Sequence, residues 1–543
     1  MAQHHAKLET MPTQTGLQRW PRTCAVLLVS AFLVAILSGP IEDTDFWWHL
    51  KTGQWIAQHH GLPVPDPFSY TGSENATARF NLTHEWLSQL VLYGVYTVGG
   101  FGAVALMRAA LLATICGLSG WIAARLSKRF WLGIAAALAT ASVMVAFTAD
   151  RPGFVTFLGI AAFIAILESR RMVWLLPAVS LVWANCHGGF FLGWLVLAAY
   201  VVRDRRLWPV AACSVAASLV NPNGYRVLGT LASYRTSELT RNLIEWQRPS
   251  WWGLPYGFNL LLYISAAVLV VNWRRVAMHH WLLFAVFAAA SLTAFRNLPL
   301  FAIVAPALIA AYLAPQIAAV MLAVIAATGA FYWRAPDPAL AAWTVPTAAA
   351  DFVASHQLPG HFFNTYEQGG YWIWRGQRVF IDGRALSDIA FRDSQQILFN
   401  NGSAGDAVTG PRKALLDRYG IETVAMNAIE PASGALYPLA IALGNPDDNQ
   451  WQLAYEDNQE LVFVRNPPPG FPTLGNKFGR VLRHLDAECT YDIDHSPDMP
   501  LCARTLADYW MRNQAWAPAR KMLQLYLSHR EDAAAAAALA RLP

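Results

Sequence analysis

Long apolar runs alternate with short polar segments through the first 333 residues. Several of these runs are shorter than the ~20 residues that cross a bilayer squarely. The runs lie at residues 23–40, 101–124, 130–148, 153–167, 173–186, 189–202, 207–220, 258–273, 281–295, 298–314 and 315–333. The pattern predicts a polytopic α-helical membrane protein with about eleven transmembrane helices.

The composition supports this class. Of 543 residues, 55% are hydrophobic and 14% are charged, whereas a soluble globular domain has about 25% charged residues. The net charge of +5 comes from basic clusters between the apolar runs. It therefore gives no reason to expect nucleic acid as a partner.

The basic clusters also predict the orientation. They lie at residues 125–129, 170–171, 203–206 and 274–275. Lys and Arg near span ends are retained in the cytoplasm, and a cytoplasmic N-terminus places all four clusters there. Residues 334–543 are then extracytoplasmic. The first run reads as a retained anchor, because no small-residue cleavage site follows it.

Residues 41–100 form a long first outer loop. We predict a helix at 46–60 and a second at 84–98, which ends before Gly99-Gly100. Loops of this length tend to be disordered or to build a site, and the Trp and Phe content here argues against disorder.

The sequence changes character after the last apolar run. Residues 334–466 predict a small extracytoplasmic α/β domain, with buried strands at 379–382 and 423–426 and a hairpin at 452–455 and 461–465. Helical patterns are found at 347–356, 391–399 and 411–419.

The last segment, 467–543, reads as a Pro-rich linker and two Ala-rich helices within 502–543 that resemble a single tetratricopeptide-type hairpin. One such unit buries no core alone, so it should pack on a neighbour or a partner. Cys489 and Cys502 lie in this exported part, where oxidation is possible. We predict a disulfide between them, with two free buried thiols as the alternative.

Two carboxylates, Asp43 and Asp45, follow the first apolar run closely. An ionised group beside hydrocarbon costs several kcal/mol unless a partner offsets it, so both are candidates for function. A simpler interpretation is that Asp45 caps the next helix. Asp43 and Glu42 are then solvated loop charges, although Asp43 could replace Asp45 as a base.

Six short motifs carry family resemblances. The sequence from Thr44 to Leu50 resembles the Asp-x-x-x-His pattern in the first outer loop of oligosaccharyltransferase catalytic subunits, which belong to the GT-C membrane glycosyltransferases. Residues 244–251 are similar to the Glu-x-Gln-Pro motif of eukaryotic members. Closer still is a family of uncharacterised bacterial membrane proteins with HEWLSQ, HGG, RNxP and FIDGR motifs, found here at 84–89, 187–189, 296–299 and 380–384.

The resemblance implies a GT-C-like transmembrane domain over residues 1–333, in the bacterial inner (plasma) membrane. It assigns acceptor activation to Asp45, with Asp43 and Glu245. It also implies a Mg²⁺ or Mn²⁺ site at Asp45, Asp150 and Glu245, because hard oxygen ligands suit these ions. The second outer loop, however, offers only Asp150-Arg151-Pro152 where oligosaccharyltransferases have an acidic pair.

Cations are needed for a phosphate leaving group. Arg296, His187 and Arg151 are the predicted donor-phosphate ligands, since a guanidinium fork matches phosphate oxygens. Arg296 could instead be an arginine that extends to the membrane interface, and His187 a turn residue.

The remaining polar candidates of the outer loop lie among tryptophans. His49, His84 and Glu85 are assigned to the acceptor or to the support of the site. Local hydrogen bonding is the simpler interpretation for both histidines, because no HxxxH or HExxH spacing indicates zinc.

The expected function is sugar transfer from a polyprenyl-phosphate-linked donor, with membrane lipids around it, to a glycan, lipid or protein acceptor outside the cytoplasm. Two alternatives remain open. One is a non-catalytic envelope assembly or transport protein, and the other is a polysaccharide polymerase or ligase.

Overall fold

The structure is a computed structural model that describes residues 19–227, 229, 244–250, 253, 255–332, 334–356, 358–400 and 408–543. Each of the eleven predicted apolar segments overlaps a helix. These helices are Arg19–Leu37, Trp86–Ser127, Phe130–Met144, Gly153–Ser169, Leu176–Cys186, Phe191–Arg203, Trp208–Ser218, Tyr256–Val271, Met278–Thr293, Leu298–Tyr312 and Pro315–Ala327.

Length and apolar composition separate these helices into two groups. Within the described ranges, four helical stretches are long and apolar enough to cross a membrane. They are Trp20–Leu37, Ala76–Ser127, Phe295–Tyr312 and Pro315–Tyr332. Others, such as Phe130–Met144 and Tyr256–Val271, are apolar but shorter. The figure of eleven spans therefore stays a prediction.

The first outer loop is largely helical. The helix Phe46–His59 matches the prediction, and a short helix, Ala76–Thr83, was missed. The predicted helix at 84–98 begins at Trp86 and continues into the next apolar run across a kink at Gly99 and Gly100. Gly100 has φ +63°, a conformation that glycine adopts without steric cost.

A four-stranded sheet lies in the C-terminal part, in the order β1-β2-β4-β3. The strands are β1 His361–Asn364, β2 Ile421–Met426, β3 Trp451–Glu456 and β4 Leu461–Arg465. β1 pairs with β2 in parallel, and β4 is antiparallel to both β2 and β3. The strand predicted at 423–426 and the closing hairpin are confirmed.

The predicted strand at 379–382 is wrong. This run is buried, but its backbone makes a single bridge, from Val379 to Ser69. Asn364 replaces the missing ladder, because its side chain accepts from Phe380 N (2.9 Å) and donates to Ile381 O (2.7 Å). Burial without pairing explains why an apolar run looked like a strand.

Helices surround this sheet: Thr347–Ser355, Gly369–Trp374, Asp388–Phe399, Gly410–Arg418 and Pro438–Gly444. The three predicted ones are confirmed within a few residues. The predicted terminal hairpin of two helices is wrong. Four helices follow the linker: Lys477–His495, Leu501–Arg512, Trp516–His529 and Ala533–Arg541. They share one hydrophobic core with the sheet, as expected for a unit too small to fold alone. The Cys489–Cys502 disulfide is confirmed.

The first outer loop and the C-terminal part also pack on each other. One core contains Phe46, Trp47 and Trp48 together with Tyr371 and Trp372. The helix Gly369–Trp374 lies against the start of Phe46–His59, where a Cβ on Gly370 would lie 2.6 Å from Thr44 O. The C-terminal part therefore covers the segment that carries Asp43 and Asp45.

Candidate active site

Four short segments bring charged side chains to the same end of the helices. Asp43 and Asp45 follow the helix Arg19–Leu37, and Arg151 precedes Gly153–Ser169. Glu245 lies on the 3-10 turn Ile244–Trp246, and Arg296 on the 3-10 turn Phe295–Asn297. A hydrogen bond from Phe295 N to Gln247 O (2.8 Å) joins these two turns.

Arg151 is the centre of this cluster. Its Nε and Nη2 donate to the two Asp43 oxygens at 2.5 and 2.9 Å. Its Nη1 lies 3.1 Å from Asp45 Oδ2 and 3.1 Å from Glu245 Oε2. One guanidinium thus contacts three carboxylates, two from the start of the first outer loop and one from a segment about 200 residues later.

Glu245 links this centre to a second cation. Arg296 Nη1 donates to Glu245 Oε1 at 2.8 Å, and its guanidinium lies over the Trp246 ring, 4.8 Å from the centroid. The side chains of Glu245 and Arg296 are 32% and 34% exposed, so both remain accessible. Trp251, the last residue of this motif, lies outside the described residues.

Asp45 does not cap its helix. Its side chain makes no capping hydrogen bond and faces Arg151 instead. Burial raises the pKa of Asp45 to about 6, although Arg151 opposes this shift, and the neighbouring carboxylate of Asp43 adds to it. The side chain is still 19% exposed. A carboxylate with this pKa can accept a proton near neutral pH.

Gly383 of the FIDGR motif touches this carboxylate. A Cβ on Gly383 would overlap Asp45 Oδ1. The glycine is therefore required by close approach, and it brings the C-terminal part into direct contact with Asp45.

Asp43 is not a solvated loop charge, and that expectation is wrong. Its side chain is 3% exposed, and Oδ1 also accepts from Asp45 N at 3.1 Å. Glu42 is the exposed residue of the pair, with a surface ion pair to Arg334 at 2.8 Å. Asp43 therefore orients Arg151 and the backbone of Asp45.

Asp150 has a different partner from the one expected. Its Oδ2 lies 2.5 Å from Arg108 Nη1, and both side chains are buried. Arg108 also donates to the carbonyls of Gly39 and Pro40. This pair ties the helix Trp86–Ser127 to the two segments that carry Asp43 and Arg151.

The predicted Mg²⁺ or Mn²⁺ site does not fit this arrangement. Asp150 is bound to Arg108 in a buried ion pair, and the carboxylate oxygens of Asp45, Asp150 and Glu245 do not all lie within 4.8 Å of one another. Among the described residues, the group whose ligand atoms lie within 4.8 Å of one another is a different set, Glu168, His279 and His280.

A second buried cluster adjoins the first. Glu85 lies 3.3 Å from His84 Nε2, 3.5 Å from His49 Nδ1 and 3.6 Å from His187 Nε2. Burial lowers the pKa of His49 and of His187 to about 4, despite the nearby Glu85 carboxylate. The HEWLSQ and HGG motifs thus meet at Glu85.

His187 behaves mainly as a turn residue. Its Nδ1 accepts from Gly189 N (3.2 Å) and lies 2.6 Å from Thr156 Oγ1. Since Nδ1 accepts, the ring proton sits on Nε2 and faces Glu85. His84 has a local partner too, with Nδ1 2.9 Å from Phe80 O.

A third set of charges fixes the FIDGR loop. Arg384 makes paired contacts with Asp382 (both 2.7 Å) and with Asp66 (2.6 and 3.1 Å). The FIDGR segment is therefore a turn with a local ion pair between Asp382 and Arg384, and the ion pair extends to Asp66 in the first outer loop. These contacts hold Gly383 against Asp45.

Sequence reasoning found the motif residues and missed their connections. Arg108 was overlooked, although a charge inside an apolar run is itself a signal. The sequence predicts Arg151 as a phosphate ligand, and the structure shows its guanidinium in contact with Asp43, Asp45 and Glu245. Nothing in the sequence indicates that Gly383 meets Asp45.

No protein-family model matches the chain, and no curated protein does. Among solved structures, the archaeal oligosaccharyltransferase AglB from Archaeoglobus fulgidus, in complex with an inhibitory peptide and a dolichol-phosphate, matches with a TM-score of 0.54 at 10% identity. The match covers 84% of this chain and 75% of that chain.

ArnT from Cupriavidus metallidurans is also similar, at lower scores. Its apo form has a TM-score of 0.46 and 14% identity over 83% of this chain and 98% of that one. The form bound to undecaprenyl phosphate has a TM-score of 0.45 and 15% identity, over 84% and 99%. The AglB match, with the apolar helices, establishes that the chain has a GT-C-like fold.

Proposed function

We propose that this protein is a membrane glycosyltransferase that moves a sugar from a polyprenyl-phosphate-linked donor to an extracytoplasmic acceptor. One observation carries the proposal: Arg151 contacts both Asp45 and Glu245, and Arg296 contacts Glu245, so that these residues form one cluster at the same end of the helices. Transfer from a phosphate carrier needs a base for the acceptor and a cation for the leaving group.

Asp45 is the proposed base. Its pKa of about 6 matches a group that must accept a proton near neutral pH. Arg151 is a positioning residue, because its hydrogen bonds to Asp43 and contacts with Asp45 fix the carboxylate. Gly383 limits the space beside it, so acceptor size is restricted on that side.

Arg296 is the proposed phosphate ligand. A guanidinium has five donors, and the described hydrogen bond to Glu245 uses one of its nitrogens. The contact with the Trp246 ring orients the plane of the Arg296 guanidinium. The AglB structure with a dolichol-phosphate supports a polyprenyl phosphate as the donor class.

The reaction balances as a single displacement. The acceptor gives its proton to Asp45 and forms a bond to the anomeric carbon of the sugar. The bond between this carbon and the phosphate oxygen breaks, and the electron pair leaves with the polyprenyl phosphate, whose charge Arg296 stabilises. One displacement inverts the anomeric configuration.

The proposed roles fix an orientation. The Asp45 cluster faces the extracytoplasmic side of a bacterial inner membrane, while the basic ends of the helices face the cytoplasm. His49, His84 and Glu85 support the acceptor side of the pocket. His187 contributes through Glu85 and the turn at Gly189.

The experiment compares envelope glycans in host strains that carry the wild type, Asp45→Asn or Glu42→Gln. Glu42 is the matched control, a nearby carboxylate on the surface. We expect Asp45→Asn to abolish the product glycan by mass spectrometry while protein levels in the membrane stay normal. Unchanged glycans in Asp45→Asn would overturn the proposal in favour of a non-catalytic role.

A further inference from the structure

Three potential metal ligands meet at the other end of the helices. Glu168 is the penultimate residue of Gly153–Ser169, about 22 Å along the helix axis from the end near Arg151. His279 and His280 lie in the first turn of the helix Met278–Thr293. The His279 and His280 Nε2 atoms lie 3.5 and 3.8 Å from Glu168 Oε1, and all three residues are buried.

A cavity opens beside these ligands. It has a volume of about 250 Å³ and is lined by Leu126, Glu168, Arg203, Met278, His279 and His280. A metal ion with one or two waters needs much less space than this, since a water occupies about 30 Å³. The cavity is therefore large enough for a hydrated metal ion.

Two of the three ligands, Glu168 and His280, have supporting hydrogen bonds. Tyr200 Oη donates to Glu168 Oε1 at 2.8 Å, and His280 Nδ1 lies 2.7 Å from Tyr312 Oη. The tyrosine fixes the His280 ring with Nε2 toward Glu168. Metal-bound histidines use their second nitrogen in this way.

His279 has an unexplained polar atom. Its Nδ1 is buried and has no hydrogen-bond partner within the described part of the chain. Its Nε2 lies 3.0 Å from Arg203 Nη1, and Arg203 also contacts Glu168 Oε1 at 3.0 Å. The Arg203 guanidinium therefore contacts His279 Nε2 and Glu168 Oε1, two of the three atoms that would bind a metal.

We propose that Glu168, His279 and His280 bind a divalent transition metal such as Zn²⁺, in exchange with Arg203. Two imidazoles and one carboxylate are typical ligands of such ions. Arg203 is 31% exposed and ends its helix, so it can move to solvent when the metal enters. The site is remote from Asp45 and does not depend on sugar transfer.

The test is zinc binding to the detergent-purified full chain without a histidine tag. His4 and His5 are replaced by Gln in every sample, because neighbouring histidines at the N-terminus bind metal by themselves. Equilibrium dialysis with elemental mass spectrometry gives stoichiometry and affinity. The samples are this background, His279→Gln, His280→Gln, Arg203→Gln, Tyr312→Phe and the surface control His529→Gln.

We expect one bound zinc in the background and in His529→Gln, and none in His279→Gln or His280→Gln. Arg203→Gln should bind zinc more tightly, because the competing cation is gone. Tyr312→Phe should weaken binding by about tenfold or more, the usual effect of removing a supporting hydrogen bond. If a ligand variant does not fold, Arg203→Gln and Tyr312→Phe still decide the question.

Equal binding in the background and the histidine variants would overturn the site. Weaker binding in Arg203→Gln would overturn the exchange between Arg203 and the metal. Each of these results leaves the proposed function untouched, since its test is read from glycans.

Discussion

The Asp45 carboxylate has no free space on the side that faces Gly383, because this glycine lies directly against Oδ1. We predict that Gly383→Ala displaces Asp45 and lowers the transfer rate by about 10²-fold, the typical effect of a shift near 1 Å in a reacting group. The control is Gly475→Ala, since no atom lies within 4 Å of a Cβ there. Rates would be compared in proteoliposomes. Equal activity in both variants would contradict the contact.

The environment of Asp45 also sets a pH dependence. Burial raises its pKa from 3.8 to about 6, and the base must be ionised, so the rate should rise with pH through about 6. His49 and His187, with pKa values near 4, stay neutral over this range.

A nearby acid gives the control for the pH profile. Burial raises the pKa of Glu367 to about 7, so the profile is also measured for Glu367→Gln. The acid limb should persist in this variant. Two results would show that Asp45 is not the titrating base. One is a wild-type rate that rises near pH 4, and the other is loss of the rise near pH 6 in Glu367→Gln.

Among the elements, the helix Trp86–Ser127 is anchored to the site by the buried Arg108–Asp150 pair. Removal of one partner leaves a buried charge and costs about 3–5 kcal/mol, whereas removal of both often costs little. We predict that Arg108→Leu lowers the free energy of unfolding by this amount and that Arg108→Leu/Asp150→Leu recovers most of it. Denaturant unfolding in detergent measures both. A double variant as unstable as Arg108→Leu would argue against the pair as the cause.

Helices were the elements that the sequence predicted best. Apolar runs and glycine or proline breaks are local, so the helices at 153–167 and 46–60 appear almost with their observed bounds. The strand prediction at 379–382 was wrong because this run is buried by contacts with Asn364 and the first outer loop, and not by pairing in a sheet. β1 at His361–Asn364 was missed, since four residues carry too little periodicity.

The candidate site was predicted in part for the same reason. Motifs pointed to Asp45, Glu245 and Arg296, which the fold brings together. Their connections depend on Arg151, Arg108 and Gly383, whose partners are set by tertiary packing. Asp43 looked solvated because its neighbours in the sequence are polar, yet its partner lies more than a hundred residues away.

At the scale of the whole molecule, the C-terminal part completes the site. Arg384 joins it to Asp66 in the first outer loop, and one aromatic core crosses between the two. The proposed acceptor site therefore lies where the first outer loop meets the C-terminal part, next to the helices proposed to hold the lipid carrier.

A cryo-EM map of the protein in lipid nanodiscs with added polyprenyl phosphate tests the central claim most directly. We predict phosphate density within hydrogen-bond distance of Arg296, on the side of the cluster that Asp45 faces, with the lipid chain between helices. Phosphate bound elsewhere, with Asp45 and Arg296 unchanged and apart from any lipid, would contradict the account.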